Sequence, residues 1–404
     1  MKSVYGISLI AMMTASTSSA QMRVAWVQLG PDRGISARAI IAKENRCPSI
    51  VIDGRAAAMR PRTPVPQGFP PICEASIPPG TREASIDGQV LALPQADFKR
   101  IVVVGDTGCR VRVKASTGES EIQNCAEDWH FKSLADAAMA RKPDLVIHTG
   151  DYVYRENEGF EWNSWYADFF QPANGLLRAA PWIFVRGNHE SCKDGGIGWF
   201  YLLDVKPYSG SCSTERSEPY VVNAGNIPFL LLDSSEAEEL RSKRSQVIEY
   251  SGQLKRINAA AIVGAWVLSH QPFWAFRREA GDTERGELDT VNDTLQSVWR
   301  ESPLPDAALI LSGHIHMFQA LGFADRRPPQ IVIGNSGTEL ARRIRGPFEG
   351  RKIARSTVSG SAILRKFGFA EFNGHETGWQ LSVHGLEGKE LECSLASKTL
   401  SCGN

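Results

Sequence analysis

The pattern that most constrains this chain occurs five times between residues 101 and 316. A short apolar run ends at a glycine or serine and is followed at once by side chains that metals favour. Residues 101–104 run into Gly105, Asp106, Thr107 and Gly108, and residues 145–147 lead to Gly150, Asp151, Tyr152, Val153 and Tyr154. Residues 182–185 run into Gly187, Asn188, His189 and Glu190; residues 262–268 into Ser269 and His270; and residues 307–311 lead to Gly313, His314, Ile315 and His316. Apolar runs without polar alternation suit strands buried on both faces, as in a parallel sheet covered by helices. In open α/β sheets the side chains just past such strand ends converge on one crevice. Glycine ahead of each group removes a Cβ and lets donors crowd together.

Each piece alone says little. A single Asp after a strand is most often a turn former or helix N-cap. A single buried His is more often a hydrogen-bonded core residue than a ligand, and His148, His130, His375 and His384 are read in that way. Four of the eight histidines, however, fall in the strand-end loops. The His-x-His spacing of His314 and His316 puts both imidazoles on one side of an extended segment. Packing alone does not account for the joint pattern.

The surrounding chain agrees with an α/β organisation from about residue 98. Residues 126–141 have a helical face made of Phe131, Leu134, Ala135 and Ala138, and Pro143 follows it. Further buried strands are expected at 228–232 and 330–333, and closing strands within 353–386. The stretches 191–219 and 275–290 read as surface loops near the crevice. Residues 21–97 differ: strands are expected at 23–29, 49–53 and 85–93, and residues 60–80 contain seven prolines. Proline is excluded from helix interiors and central strands. This segment therefore reads as a small all-β domain tethered by loops, followed by a catalytic domain over 98–390 and a tail over 391–404.

Charge and cysteines narrow the setting. The chain has 45 acidic and 45 basic residues in 404, so neither nucleic acid nor an anionic membrane is implied as the main partner. Residues 1–20 have Lys2, a short apolar run over 4–13 and small residues Ser18, Ser19 and Ala20, the pattern of a signal peptide, and no stretch is long enough to span a membrane. The eight cysteines, with no Cys-x-x-Cys spacing, favour disulfides in a secreted or periplasmic protein. Pairing between sequence neighbours is the simplest arrangement: 47 with 73, 109 with 125, 192 with 212 and 393 with 402.

The ordered set GD-x-G, GD-x-x-Y, GNHE, V-x-x-H (Val267 to His270) and GH-x-H resembles the calcineurin-like metallophosphoesterases, over roughly residues 98–385. Within that superfamily, Gly108 where most relatives carry a His, together with Tyr154, resembles the purple acid phosphatases. The resemblance implies a metallophosphoesterase β-sandwich flanked by helices, an α/β fold, preceded here by the small all-β domain. It implies a ferric site of Asp106, Asp151, Tyr154 and His316, and a divalent site (Fe, Zn or Mn) of Asp151, Asn188, His270 and His314, with Asp151 shared. Hard phenolate and carboxylate donors suit Fe(III), while imidazole and amide oxygen suit the softer ion. The ions together bring five positive charges. Asp106, Asp151 and a Tyr154 phenolate offset three and a hydroxide a fourth, so the centre still attracts phosphate.

The implied activity is hydrolysis of a phosphate monoester by a metal-activated hydroxide, with His189 protonating the leaving group. A phosphodiesterase on the same scaffold and a non-catalytic secreted metal-binding protein are the alternatives. Glu190 either orients His189 or binds backbone. Two departures bear on substrate binding. Trp274 stands where relatives often carry Tyr, and no further phosphate-contacting histidine follows, which leaves Arg277 and Arg278 as substitutes. Gly334, Asn335, Ser336 and Gly337 form a turn or line the crevice.

Overall fold

A computed structural model describes residues 22–42, 46–113, 120–155, 159–212, 216–257, 259–278, 288–325 and 327–403. The signal-like segment 1–20 lies outside them. Two large sheets form the frame, one of eleven strands and one of eight. In the first, Arg100–Val104, Leu145–His148, Trp182–Phe184 and Met22–Leu29 are parallel neighbours. In the second, Ile227–Leu232, Trp266–Ser269, Leu309–Ser312 and Gln330–Ile333 are parallel neighbours.

Strand periodicity explains how the sheets stack. Alternate side chains point to opposite faces, and every residue named here is buried. Ile101, Val103, Leu145 and Ile147 face Leu231, Trp266, Leu268, Leu309 and Leu311 of the other sheet in one shared core. Val102, Val104 and Val146 face outward, under Phe131, Leu134, Ala135 and Ala138 of the helix Phe131–Ala140. The far face of the second sheet is covered by the helices Arg244–Arg256 and Asp293–Glu301 through Val247, Tyr250, Leu254, Leu295 and Val298. The result is a helix–sheet–sheet–helix sandwich in which the central strands have no solvent face. Their uninterrupted apolar runs are the consequence.

The N-terminal segment is all-β, as expected, but it is not tethered by loops. Met22–Leu29 pairs directly with Trp182–Phe184. Ile35–Ile41, a strand the sequence reading passed over, pairs with Met22–Leu29 and with Ile72–Ser76. A separate four-stranded sheet holds Ser49–Ile52 and Ala84–Ile86. The junction is braced by two buried arginines. Arg38 donates to the carbonyls of Leu202 at 2.8 Å and Asp204 at 2.6 Å. Arg62 donates to those of Phe200 at 2.9 Å, Asp204 at 3.0 Å and Lys206, and to Glu74 at 2.9 Å. These carbonyls lie at the end of a helical segment, where unsatisfied oxygens and the helix dipole attract cations. Burial, then the neighbouring Arg62, pushes the Arg38 guanidinium down to about 9.

Other expectations shift in detail. The strand foreseen over 262–268 starts only at Trp266, because Ala259–Ile262 is a helical turn and Gly264 has a φ of 72°. The stretch 191–219 is more than surface loop: its residues 199–203 are buried in the core. In 275–290, Ala275–Arg278 pairs with Leu288–Val291, and residues 279–287 lie outside the described chain. Residues 391–404 are not a free tail. Gly388–Ala396 and Thr399–Cys402 form the last hairpin of the first sheet, since Leu395 and Leu400 have core positions to fill. All four neighbour disulfides are present. Among the described residues no helix is long and apolar enough to cross a membrane.

Candidate metal centre

The parallel strands of both sheets deliver their C-terminal loops to one rim, and all seven candidate ligands meet there. Two groups of donors are visible. In the first, the Tyr154 phenol oxygen lies 2.9 Å from Asp106 Oδ1, 2.7 Å from Asp151 Oδ2 and 3.1 Å from His316 Nε2. In the second, Asn188 Oδ1 lies 2.9 Å from both His270 Nε2 and His314 Nδ1. The groups join at one atom: Asp151 Oδ2 also lies 3.2 Å from His270 Nε2.

Local backbone makes this crowding possible. Asp106, Asp151 and His314 have φ values of 54°, 60° and 71°. Left-handed backbone is uncommon outside glycine and, when it clusters, marks functional sites. The glycines serve close approach. A Cβ on Gly187 would lie 2.1 Å from Asp151 Oδ1, and one on Gly313 would lie 2.4 Å from Asp106 Oδ2.

Surrounding hydrogen bonds fix each donor. Backbone carbonyls of Thr149 and Glu339 each lie 2.9 Å from the Nδ1 of His270 and His316, so both rings turn an Nε2 lone pair inward. The amides of His189 and His314 donate to Asp151 Oδ1 and to Asp106, both at 2.9 Å. Glu190 is settled by the fold: its carboxylate accepts from the amides of Asp151 and Gly187 at 3.0 Å and Tyr152 at 2.9 Å. It staples two ligand loops together and does not orient His189. His148 joins two others, with Nε2 2.9 Å from Thr107 Oγ1 and Nδ1 accepting from the Gly150 amide. The turn of Gly334 to Gly337 braces Asp106 from behind, through Ser336 to Gly105 and the Thr338 amide to the Asp106 carbonyl.

Electrostatics point the same way. Burial, and then the Asp151 charge, pushes Asp106 up to about 7. Burial followed by Asp106 and Asp151 pushes the Tyr154 phenol far up. Burial and nearby Arg110 hold His316 down at about 3, so its imidazole is neutral and able to donate a lone pair. Two carboxylates, a phenol, an amide oxygen and three imidazoles converge. That donor chemistry fits two cations, with the oxygen-rich group suited to the harder one.

Several neighbours were not foreseen. Glu239 reaches His314 Nε2 at 3.5 Å. Arg110 lies over the Tyr154 ring at 5.6 Å, and Arg342 joins Arg277 and Arg278 around a cavity of about 400 Å3 beside His314 and His316. The nearness of Arg110 to Gly108 was a usable signal; Glu239 and Arg342 had none. Trp274 is absent from this cavity. It is buried in the core, packed edge-on by Trp299 and covered by Arg327.

Fold and site together define a metal-dependent phosphoric ester hydrolase. A family model described as calcineurin-like phosphoesterase matches residues 99–318, more than half of the chain, and the chain belongs to that family. The family binds a dinuclear metal centre. Among solved structures the fold is similar to the purple acid phosphatase PPD1 of yellow lupin (Lupinus luteus) seeds, at a TM-score of 0.61 and 13% identity, over 91% of this chain and 72% of that one. Weaker likenesses include GAP50 of Plasmodium (TM-score 0.43, 13% identity, 75% of this chain and 90% of that one) and a dimetal phosphatase of Danio rerio (0.40, 11%, 74% and 99%). No curated protein matches the chain.

Proposed function

We propose that this protein is an exported phosphomonoesterase of the purple acid phosphatase type. Asp106, Asp151, Tyr154 and His316 would hold Fe(III), and Asp151, Asn188, His270 and His314 a divalent ion. The observation that carries this reading is Asp151 Oδ2, which lies 2.7 Å from Tyr154 of one donor group and 3.2 Å from His270 of the other. When bound, a metal pair of this kind polarises the phosphoryl oxygens and lowers the pKa of a bound water.

The protein's own groups do the rest. His189 sits at the centre, its ring 4.1 Å from that of Tyr154 and its amide bonded to Asp151. It is placed to give a proton to the departing alkoxide. Arg110, over the same tyrosine, offsets charge on the phosphoryl oxygens. The four cavity arginines favour a dianionic monoester over a monoanionic diester, because attraction grows with ligand charge. Four disulfides and no free cysteine support export into an oxidising compartment.

The test is metal analysis and a visible spectrum on active protein, with p-nitrophenyl phosphate compared against bis(p-nitrophenyl) phosphate. Iron near one equivalent, visible absorption and faster monoester turnover are expected. Full activity in a colourless two-zinc protein would overturn the iron assignment, and faster diester turnover would favour the phosphodiesterase. His189→Ala is expected to lower kcat on an alkyl phosphate by about 10²-fold. It should cost much less on p-nitrophenyl phosphate, whose leaving group needs no proton. Equal losses on the two substrates would assign His189 a positioning role.

A further inference from the structure

We propose that Glu239 is a positioning residue for the divalent site: its carboxylate holds the His314 ring with Nδ1 turned toward Asn188 and strengthens that imidazole as a donor. This rests on the metal-centre reading above and adds a residue to it. The three histidines of the centre are not held alike. His270 and His316 each set Nδ1 against a backbone carbonyl, of Thr149 and Glu339, and turn Nε2 inward. His314 is reversed: its Nδ1 lies 2.9 Å from Asn188 Oδ1, so Nε2 faces outward. What stands at that nitrogen is a carboxylate oxygen, Glu239 Oε1, at 3.5 Å.

His314 has need of such a holder. Its side chain borders the substrate cavity and is more exposed than those of His270 and His316. Glu239 is fixed from behind. Its carbonyl accepts from the Asp293 amide at 3.0 Å, and the preceding Glu238 amide donates to Gln246 at 2.8 Å. The carboxylate then divides its oxygens. Oε1 goes to His314, while Oε2 lies 3.5 Å from Arg277, which is also bound to Asp289 at 2.9 Å. A carboxylate at the outer nitrogen of a ligating imidazole fixes its tautomer, frees the inner lone pair and raises its basicity. The divalent site gains from this. Apart from Asp151, which serves both ions, its donors are an amide oxygen and two neutral imidazoles. A half-buried carboxylate one ring away adds negative charge there without occupying a coordination position.

The test is zinc binding, which does not depend on turnover. Protein stripped of its divalent ion by dialysis is titrated with zinc in competition with a chromophoric chelator. Glu239→Gln is expected to weaken zinc binding by about tenfold or more, and Glu239→Ala by more than Glu239→Gln. The ion of the first donor group and the circular dichroism should be unchanged in both. Activity lost by Glu239→Gln should return when zinc is added in excess, which a damaged fold would not allow. Arg277→Ala separates the hold on His314 from any ordering of the cavity. It removes a positive charge beside Glu239 and should leave zinc affinity equal or higher. Zinc affinity unchanged in both Glu239 variants, an equal fall in Arg277→Ala, or parallel loss of the other ion would overturn the proposal. If zinc affinity depends on Glu239 but no phosphate ester is hydrolysed, the monoesterase reading fails and the positioning role stands. If esters are hydrolysed and zinc affinity ignores Glu239, the reverse holds.

Discussion

Asp151→Asn is expected to strip the protein of both metals and to reduce kcat/KM on a phosphate monoester by on the order of 10³-fold or more. One oxygen of Asp151 touches both donor groups, and its other oxygen is occupied by the His189 amide. Among the seven, Asp151 has an oxygen within hydrogen-bond distance of a donor side chain in each group. Asparagine is the informative replacement because Asp151 has a φ of 60°, which Asn tolerates better than Ala. The backbone is thereby preserved while a charge and a bridging oxygen are lost. Metal per chain after gel filtration, read beside circular dichroism, checks the result. Asp106→Asn is the control, since the donor side chains that Asp106 touches are those of the first group and it meets His314 only through the backbone amide, and it should deplete one ion more than the other. Matching losses in the two variants would remove Asp151 from the bridging position.

The second large effect is expected at Tyr154. Its phenol oxygen is the centre of the first donor group, within 3.1 Å of Asp106, Asp151 and His316. Tyr154→Phe keeps the ring packed against His189 and under Arg110 but removes that oxygen. The variant should lose its visible absorption and most of its iron, keep the divalent ion, and fall in kcat by about 10²-fold. Absorption retained at full intensity would mean that the colour has another source. The two variants are distinguishable: one empties the centre, the other empties half of it.

The sequence was informative about this protein wherever chemistry is local. Five apolar runs ending in donor-rich loops are legible because a strand buried on both faces needs an unbroken apolar stretch, and because glycine must precede side chains packed this closely. His148 could be separated from the ligands for the same reason, lying in the strand and not past its end. The disulfides followed from short spacing. The N-terminal segment shows the limit. Its strands were visible in part, but nothing in Met22–Leu29 announces that it pairs with Trp182–Phe184, since that contact spans more than 150 residues.

What only the tertiary structure decided is what distant residues do to one another. Glu190 was ambiguous until the fold brought three backbone amides of two loops to its carboxylate. Trp274, a departure that bore on substrate binding, proved to be buried in the core, while Arg342 entered the cavity from a loop with no motif of its own. A ligand set can be inferred from one strand end at a time, because each loop carries its own donors. A substrate wall is assembled from side chains on separate loops, and its members have no shared pattern until the sheets bring those loops together.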